Sequence, residues 1–171
     1  KSGTPQGGVI SPLLANVYLH YVFNLWADRR MRKLLRGRMY PFRYADDIVV
    51  CFQYEEDART FLDALRQRLA DFDLELHPDK TVLVEVGRGA WSRWRQGQSP
   101  RPKGFTFLGL TFYCGTSKNG RYWVQRITST KSHRQFKAAI GEVCRRHRHR
   151  LDLLYDKLCR MLNGHYAFFG V

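Results

Sequence analysis

The sequence holds 171 residues, 44% hydrophobic and 14% aromatic, which fits a packed chain and excludes a disordered one. Twenty-nine Lys and Arg against fifteen Asp and Glu give a net charge of +14, and the positive residues cluster. That balance points to a polyanion such as nucleic acid, the alternative being a merely basic, solvated surface.

No apolar run approaches the roughly 20 residues of a membrane span. The four cysteines, Cys51, Cys114, Cys144 and Cys159, form no C-x-x-C pair, which argues against zinc and for a reducing setting. Cys51 and Cys114 sit in apolar runs and are expected as small core residues.

The opening "KSGTPQGG" is a Gly-rich polar loop without the apolar stretch of a signal peptide, and it reads as a chain cut from a longer one. Ser11-Pro12 then marks a helix start, with Ser as N-cap and Pro in the first helical position. Ile10, Leu13, Leu14, Val17, Tyr18, Tyr21, Val22 and Leu25 follow helical spacing and predict one wide apolar stripe. The helix is expected to run to about Leu35 and to end near Gly37.

Residues 40–54 read as a strand hairpin broken at Asp46 and Asp47, and residues 55–71 as a helix with acids first and arginines later. "HPDK" (77–80) is a turn and "TVLVEV" (81–86) a strand. Residues 87–103 form a loop rich in Gly, Pro and Arg that carries Trp91 and Trp94. "FTFLGLTFYC" (105–114) is one strand, "TSKNGR" holds an Asn-Gly turn, and "YWVQRI" returns. From Ser132 the pattern is helical, passes through the basic "RRHRHR" (145–150), and continues in a further helix with an aromatic tail. The order is α+β. The composition shift near residue 129 predicts a second, helical unit, giving 1–128 and 129–171.

The aspartate pair carries the chemistry. Charges inside an apolar run cost several kcal/mol unless they are solvated or paired. A tight turn between two strands would let Asp46 and Asp47 both reach one cleft, which a straight strand forbids because neighbours alternate faces. Magnesium takes one or two protein carboxylates together with substrate phosphates and waters. A pair of such ions stabilises the attacking and leaving oxygens of phosphoryl transfer. A bare Asp-Asp is by itself more often a plain polar turn.

"YADD" between apolar strands resembles the metal-binding signature of reverse transcriptases. "GTPQGGVISPLLANVYL" (3–19) is similar to the preceding segment of group II intron-type reverse transcriptases, and "HPDKT" (77–81) and "FTFLGLTF" (105–112) to the two that follow. "LNGHYAFFGV" (162–171) resembles the start of their thumb, or maturase, region, so the motifs run in order along nearly the whole chain.

The resemblance implies part of a right-hand polymerase palm, an antiparallel sheet with packed helices, followed by a helical thumb segment. It implies an RNA-directed DNA polymerase that adds dNTPs to a DNA primer on an RNA template, using magnesium or its substitute manganese, with a splicing role on intron RNA. Asp46 would bind the catalytic metal and Asp47 would support it. Gln6 and Gly7, with Tyr44 and Ala45, would line the nucleotide and template pocket, although backbone packing alone could explain Gly7. Lys80 would lie near the nucleotide, or be a plain surface lysine. Phe107, Leu108 and Gly109 would form the primer grip, although Phe107 and Leu108 could equally be core.

Nucleic-acid phosphates could be held by Arg93 and Arg95 of the 88–103 loop and by Arg145, Arg146, Arg148 and Arg150. Trp91 and Trp94 could stack on bases or close a hydrophobic lid. His147 and His149 belong to a basic helix face rather than to a metal site. The family's third carboxylate, with the fingers and first palm strands, lies upstream of the "GTPQGG" motif in such enzymes. This polypeptide alone is therefore expected not to polymerise, and to need those parts of its parent chain as partners. A cytoplasmic or nucleoid location, no secretion and no membrane partner are expected. A CRISPR-associated or diversity-generating enzyme, and an RNA-binding splicing factor with an inactive polymerase site, are the alternatives.

Overall fold

A computed structural model describes residues 10–170. They divide into two compact units between Leu83 and Val84. No helix among the described residues is long and apolar enough to cross a membrane.

The first unit opens on one long helix, α1 (11–34), built from Ser11–Leu19, π-helical turns at His20–Asn24 and Ala27–Met31, and a last turn at Arg32–Leu34. In the π turns the Leu25 N–H donates to His20 O and the Arg32 N–H to Ala27 O, each five residues back. The helix begins one residue earlier than the sequence suggests: Ile10 is the N-cap, Ser11 is already helical, and no side chain caps the start. Leu35 turns extended and stops the helix.

Strands β1 (Met39–Tyr44) and β2 (Asp47–Phe52) pair antiparallel, and helix α2 (Glu55–Ala70) follows. The core gathers Val22, Phe23, Trp26, Ala27 and Met31 of α1 with Met39, Phe61, Leu65 and Leu69. Phe61 sits among three rings, with centroids 5.1 Å from Phe52, 5.3 Å from Trp26 and 6.4 Å from Phe23. Ile48, Val50 and Phe52 face this core from β2. Strand alternation therefore turns Asp47, Val49 and Cys51 outward. Cys51 is accordingly exposed, against its expected core position, whereas Cys114 is buried.

The apolar stripe predicted for α1 also needs correction. Ile10, Leu13, Leu14, Val17, Tyr18 and Tyr21 are all exposed, and the buried face belongs to the second half of the helix. Val22 and Trp26, Phe23 and Ala27, and Ala27 and Met31 are each four residues apart, and together they form that buried face. Arg68 donates to Val22 O at 3.1 Å, beside the first π turn, while its guanidinium lies 4.2 Å from the Phe72 ring centroid.

Residues 81–86 are not a strand: they join no ladder among the described residues, and Val82, Leu83 and Val86 are exposed. Strand-forming residues without a partner remain irregular because a lone strand leaves its backbone groups unpaired.

In the second unit, the expected loop at 87–103 contains helix α3 (Arg88–Arg95). Its end is a Schellman motif: Gly97, at φ +71°, donates to Trp94 O and Gln98 donates to Arg93 O. The single strand expected over 105–114 is instead a hairpin. Strand β3 (Phe105–Phe107) turns at Leu108-Gly109 into β4 (Leu110–Thr116), which pairs with β5 (Tyr122–Thr128). Both turn residues have positive φ, +50° and +77°, as a type I′ hairpin requires.

Ser129 accepts the Ser132 N–H and caps α4 (Thr130–His147). A tight turn leads to α5 (Leu151–Phe169). Phe136 of α4 stacks on His165 of α5, with centroids 3.9 Å apart. Neither helix has a buried residue among those described. The described residues are mixed α and β, with two antiparallel sheets and five helices among them, compatible with part of a polymerase palm and a helical segment.

Candidate active site

The β1–β2 hairpin closes through a two-residue loop, Ala45-Asp46, with Tyr44 paired to Asp47. Ala45 has a φ of +51°, in the left-handed region that the first loop residue of such two-residue hairpins takes, and Asp46 does not share the positive sign. Glycine normally holds that first position, so an alanine there stores about 1 kcal/mol of strain. The turn places Asp46 at the tip and Asp47 at the root of β2, both exposed. Neither has an ion pair among the described residues, although arginines are abundant.

The outer face of the hairpin is aromatic. Cross-strand register sets Tyr44 opposite Asp47, Phe42 opposite Val49 and Tyr40 opposite Cys51. Those three rings are more than half exposed, at 65%, 54% and 52%. A flat aromatic surface thus runs up to the aspartate turn.

Two adjacent, exposed carboxylates on a fixed turn suit a hard divalent cation that takes its remaining ligands from phosphate and water. No group of three His, Cys, Asp or Glu that could hold a metal occurs among the described residues, so the turn offers part of a coordination shell.

The other residues singled out from sequence fall in several places. Gln6 and Gly7 lie outside the described residues. Lys80 is exposed and closes the "HPDK" turn, its N–H donating to His77 O at 3.3 Å. Phe107 ends β3, and Leu108-Gly109 form the β3–β4 turn. A Cβ on Gly109 would lie 2.9 Å from Ser132 Oγ and 3.3 Å from Phe169, and its carbonyl accepts the Ser129 N–H at 2.8 Å. This glycine therefore serves a turn and a close approach of its own chain.

Arg93 is ion-paired with Glu85, and Arg145 and Arg146 both engage Glu142, at 2.9 and 3.2 Å. The two arginines hold the Glu142 carboxyl below its ordinary range by hydrogen bonding and charge. Arg148 and Arg150 lie at the α4–α5 turn, and Arg95 ends α3, all exposed. Trp91 and Trp94 pack on each other at 4.6 Å, with Arg101 over Trp94.

Sequence reasoning missed Arg43. Its Nε donates to Asn24 Oδ1 at 2.8 Å, and one terminal nitrogen donates to Asn16 Oδ1 at 2.9 Å and to Ala45 O at 2.7 Å. An arginine on the inward face of a strand, facing a helix otherwise apolar on that side, was the available signal.

Comparison with known proteins agrees with this geometry. The family described as reverse transcriptase (RNA-dependent DNA polymerase) matches residues 1–112. Protein YkfC of Escherichia coli (strain K12) is 28% identical over 160 residues, covering 76% of this chain and 36% of YkfC. The chain thus spans about a third of the length of that curated relative. No solved structure matches it. With 112 of 171 residues covered, the aspartate hairpin and the β3–β4 turn among them, the chain belongs to the reverse transcriptase family.

Proposed function

We propose that this chain carries the metal-binding turn of an RNA-directed DNA polymerase of group II intron type. Residues 1–128 would belong to the palm and 129–171 would open the thumb. The observation that carries the reading is the exposed pair Asp46 and Asp47, without an ion pair among the described residues, on a hairpin whose outer face is aromatic.

Asp46 and Asp47 would hold magnesium, and bound metal would supply charge stabilisation for phosphoryl transfer. The hairpin's inward residues fix the turn against α1, and its outer rings Tyr40, Phe42 and Tyr44 offer surfaces for bases or sugars. Phe107, Leu108 and Gly109 would meet the primer end, and Lys80, with Gln6 and Gly7, the nucleotide. The exposed cations Arg95, Arg148 and Arg150 would take phosphates. Arg93, Arg145 and Arg146 would need to leave the carboxylates they now engage. An intron-splicing role rests on the sequence resemblance and on the net charge of +14.

Primer extension on an RNA template with magnesium tests this, using the longest natural polypeptide that contains the sequence. Losing a metal ligand removes several kcal/mol of transition-state stabilisation. Asp46→Ala should therefore lower the rate about a thousand-fold and leave primer–template affinity nearly unchanged. Salt-dependent RNA binding without any extension by the unaltered protein would refute the polymerase reading and favour an RNA-binding splicing factor.

A further inference from the structure

Arg43 sits opposite Ile48 on the inner face of the hairpin, with its guanidinium against α1. Its three acceptors, Asn16 Oδ1, Asn24 Oδ1 and Ala45 O, are all uncharged. A carboxylate partner would be the ordinary choice for an arginine. Asp46 and Asp47 are near in sequence, yet neither pairs with it. The amides thus occupy the arginine and leave both carboxylates available.

The anchor depends on the shape of α1. Asn16 and Asn24 are eight residues apart, which on a regular α-helix offsets them by about 80° around the axis. The π turn at His20–Asn24 takes in one extra residue, so the spacing acts as seven, about two full turns. Both amides then face the same guanidinium. The third bond from Arg43 grips the carbonyl of Ala45, the strained residue at φ +51°.

We propose that Arg43, anchored on Asn16 and Asn24, is a positioning residue that fixes the Ala45-Asp46 turn and so sets the two aspartates for metal. This rests on the metal-binding reading of the turn given above. Lysine could not substitute fully, because it lacks the planar fork that serves three directional acceptors at once.

Mn2+ titrated into the longest natural polypeptide that contains the sequence, read by paramagnetic broadening of the Ala45–Asp47 backbone amides, tests it. Arg43→Gln should raise the Mn2+ midpoint about ten-fold, the usual cost of losing a group that orients a metal ligand. Arg43→Lys should recover only part of it, and the amide signals of α2 should stay in place. Asn16→Ala, at an exposed position, removes one anchor without touching the core and should shift the midpoint the same way; it decides the matter should Arg43→Gln lose the α2 signals. A midpoint unchanged in both Arg43→Gln and Asn16→Ala overturns the proposal while the metal reading stands. No broadening of these amides in the unaltered polypeptide removes the metal reading, and the proposal with it.

Discussion

Asp57 offers a sharp test of how the first unit holds together. It lies at the third position of α2 and is only 6% exposed. One carboxylate oxygen accepts the Arg36 N–H at 3.2 Å and the other accepts the Gly37 N–H at 2.8 Å. These amides follow the end of α1, so the side chain ties the long helix to the start of α2, whose dipole also favours a negative group there. Two hydrogen bonds to a charged group, at about 1.5 kcal/mol each, make about 3 kcal/mol. Water reaches the part-buried amides, so Asp57→Ala should cost about 2–3 kcal/mol. Asp57→Asn keeps one acceptor and should cost about half as much. Urea unfolding read by Trp26 fluorescence, with Trp91, Trp94 and Trp123 changed to Phe, would report on this unit alone. A loss below about 1 kcal/mol for Asp57→Ala, with unaltered hydrogen exchange at Gly37, would refute the reasoning.

Gly109 and Gly120 separate backbone strain from crowding, because both have positive φ but only Gly109 has atoms within reach of an added Cβ. Gly120→Ala should lower stability by about 1 kcal/mol and Gly109→Ala by about 2 kcal/mol or more, measured by thermal unfolding; equal losses would sink the close-approach argument. His147 meets Lys157 Nζ at 2.8 Å through Nε2, and burial, followed by the charges of Lys157, Arg146 and Arg150, holds its imidazole below the ordinary 6.5. The fold then favours the neutral ring, so this contribution is complete above 6.5 and is lost as pH falls through the depressed value. The thermal stability of the α4–α5 pair should therefore fall on acidification in that range, and His147→Gln should flatten the dependence.

The hairpin around Asp46 and Asp47 was legible because β-branched and aromatic residues flank a polar break, and α2 because its apolar spacing is strict. The β3–β4 turn was not, because Leu108 is a poor residue for positive φ and nothing in "FTFLGLTF" breaks the apolar run except Gly109. Helix α3 hid behind Gly87, Gly89 and the prolines that follow, although Ala90, Trp91 and Trp94 have helical spacing. Residues 81–86 have strand composition but no partner among the described residues, and composition reports nothing about partners. The roles of Arg43 and Asp57 depend on contacts 19 to 27 and 20 to 21 residues away, beyond any local pattern.

The π turns of α1 bear on how relatives are aligned. Each is equivalent to a single residue inserted into an otherwise regular helix. A relative with a straight helix in this place would superpose on α1 only if two one-residue gaps were opened inside the helix. Alignment schemes penalise gaps there heavily, so the segment would be read out of step by one residue and then by two. Identities on one side of His20–Asn24 would be scored as mismatches, and the measured kinship would fall below the true one. Pairing residues by their place around the helix axis, with Asn16 and Asn24 on one side and Trp26 and Met31 on another, would restore the correspondence.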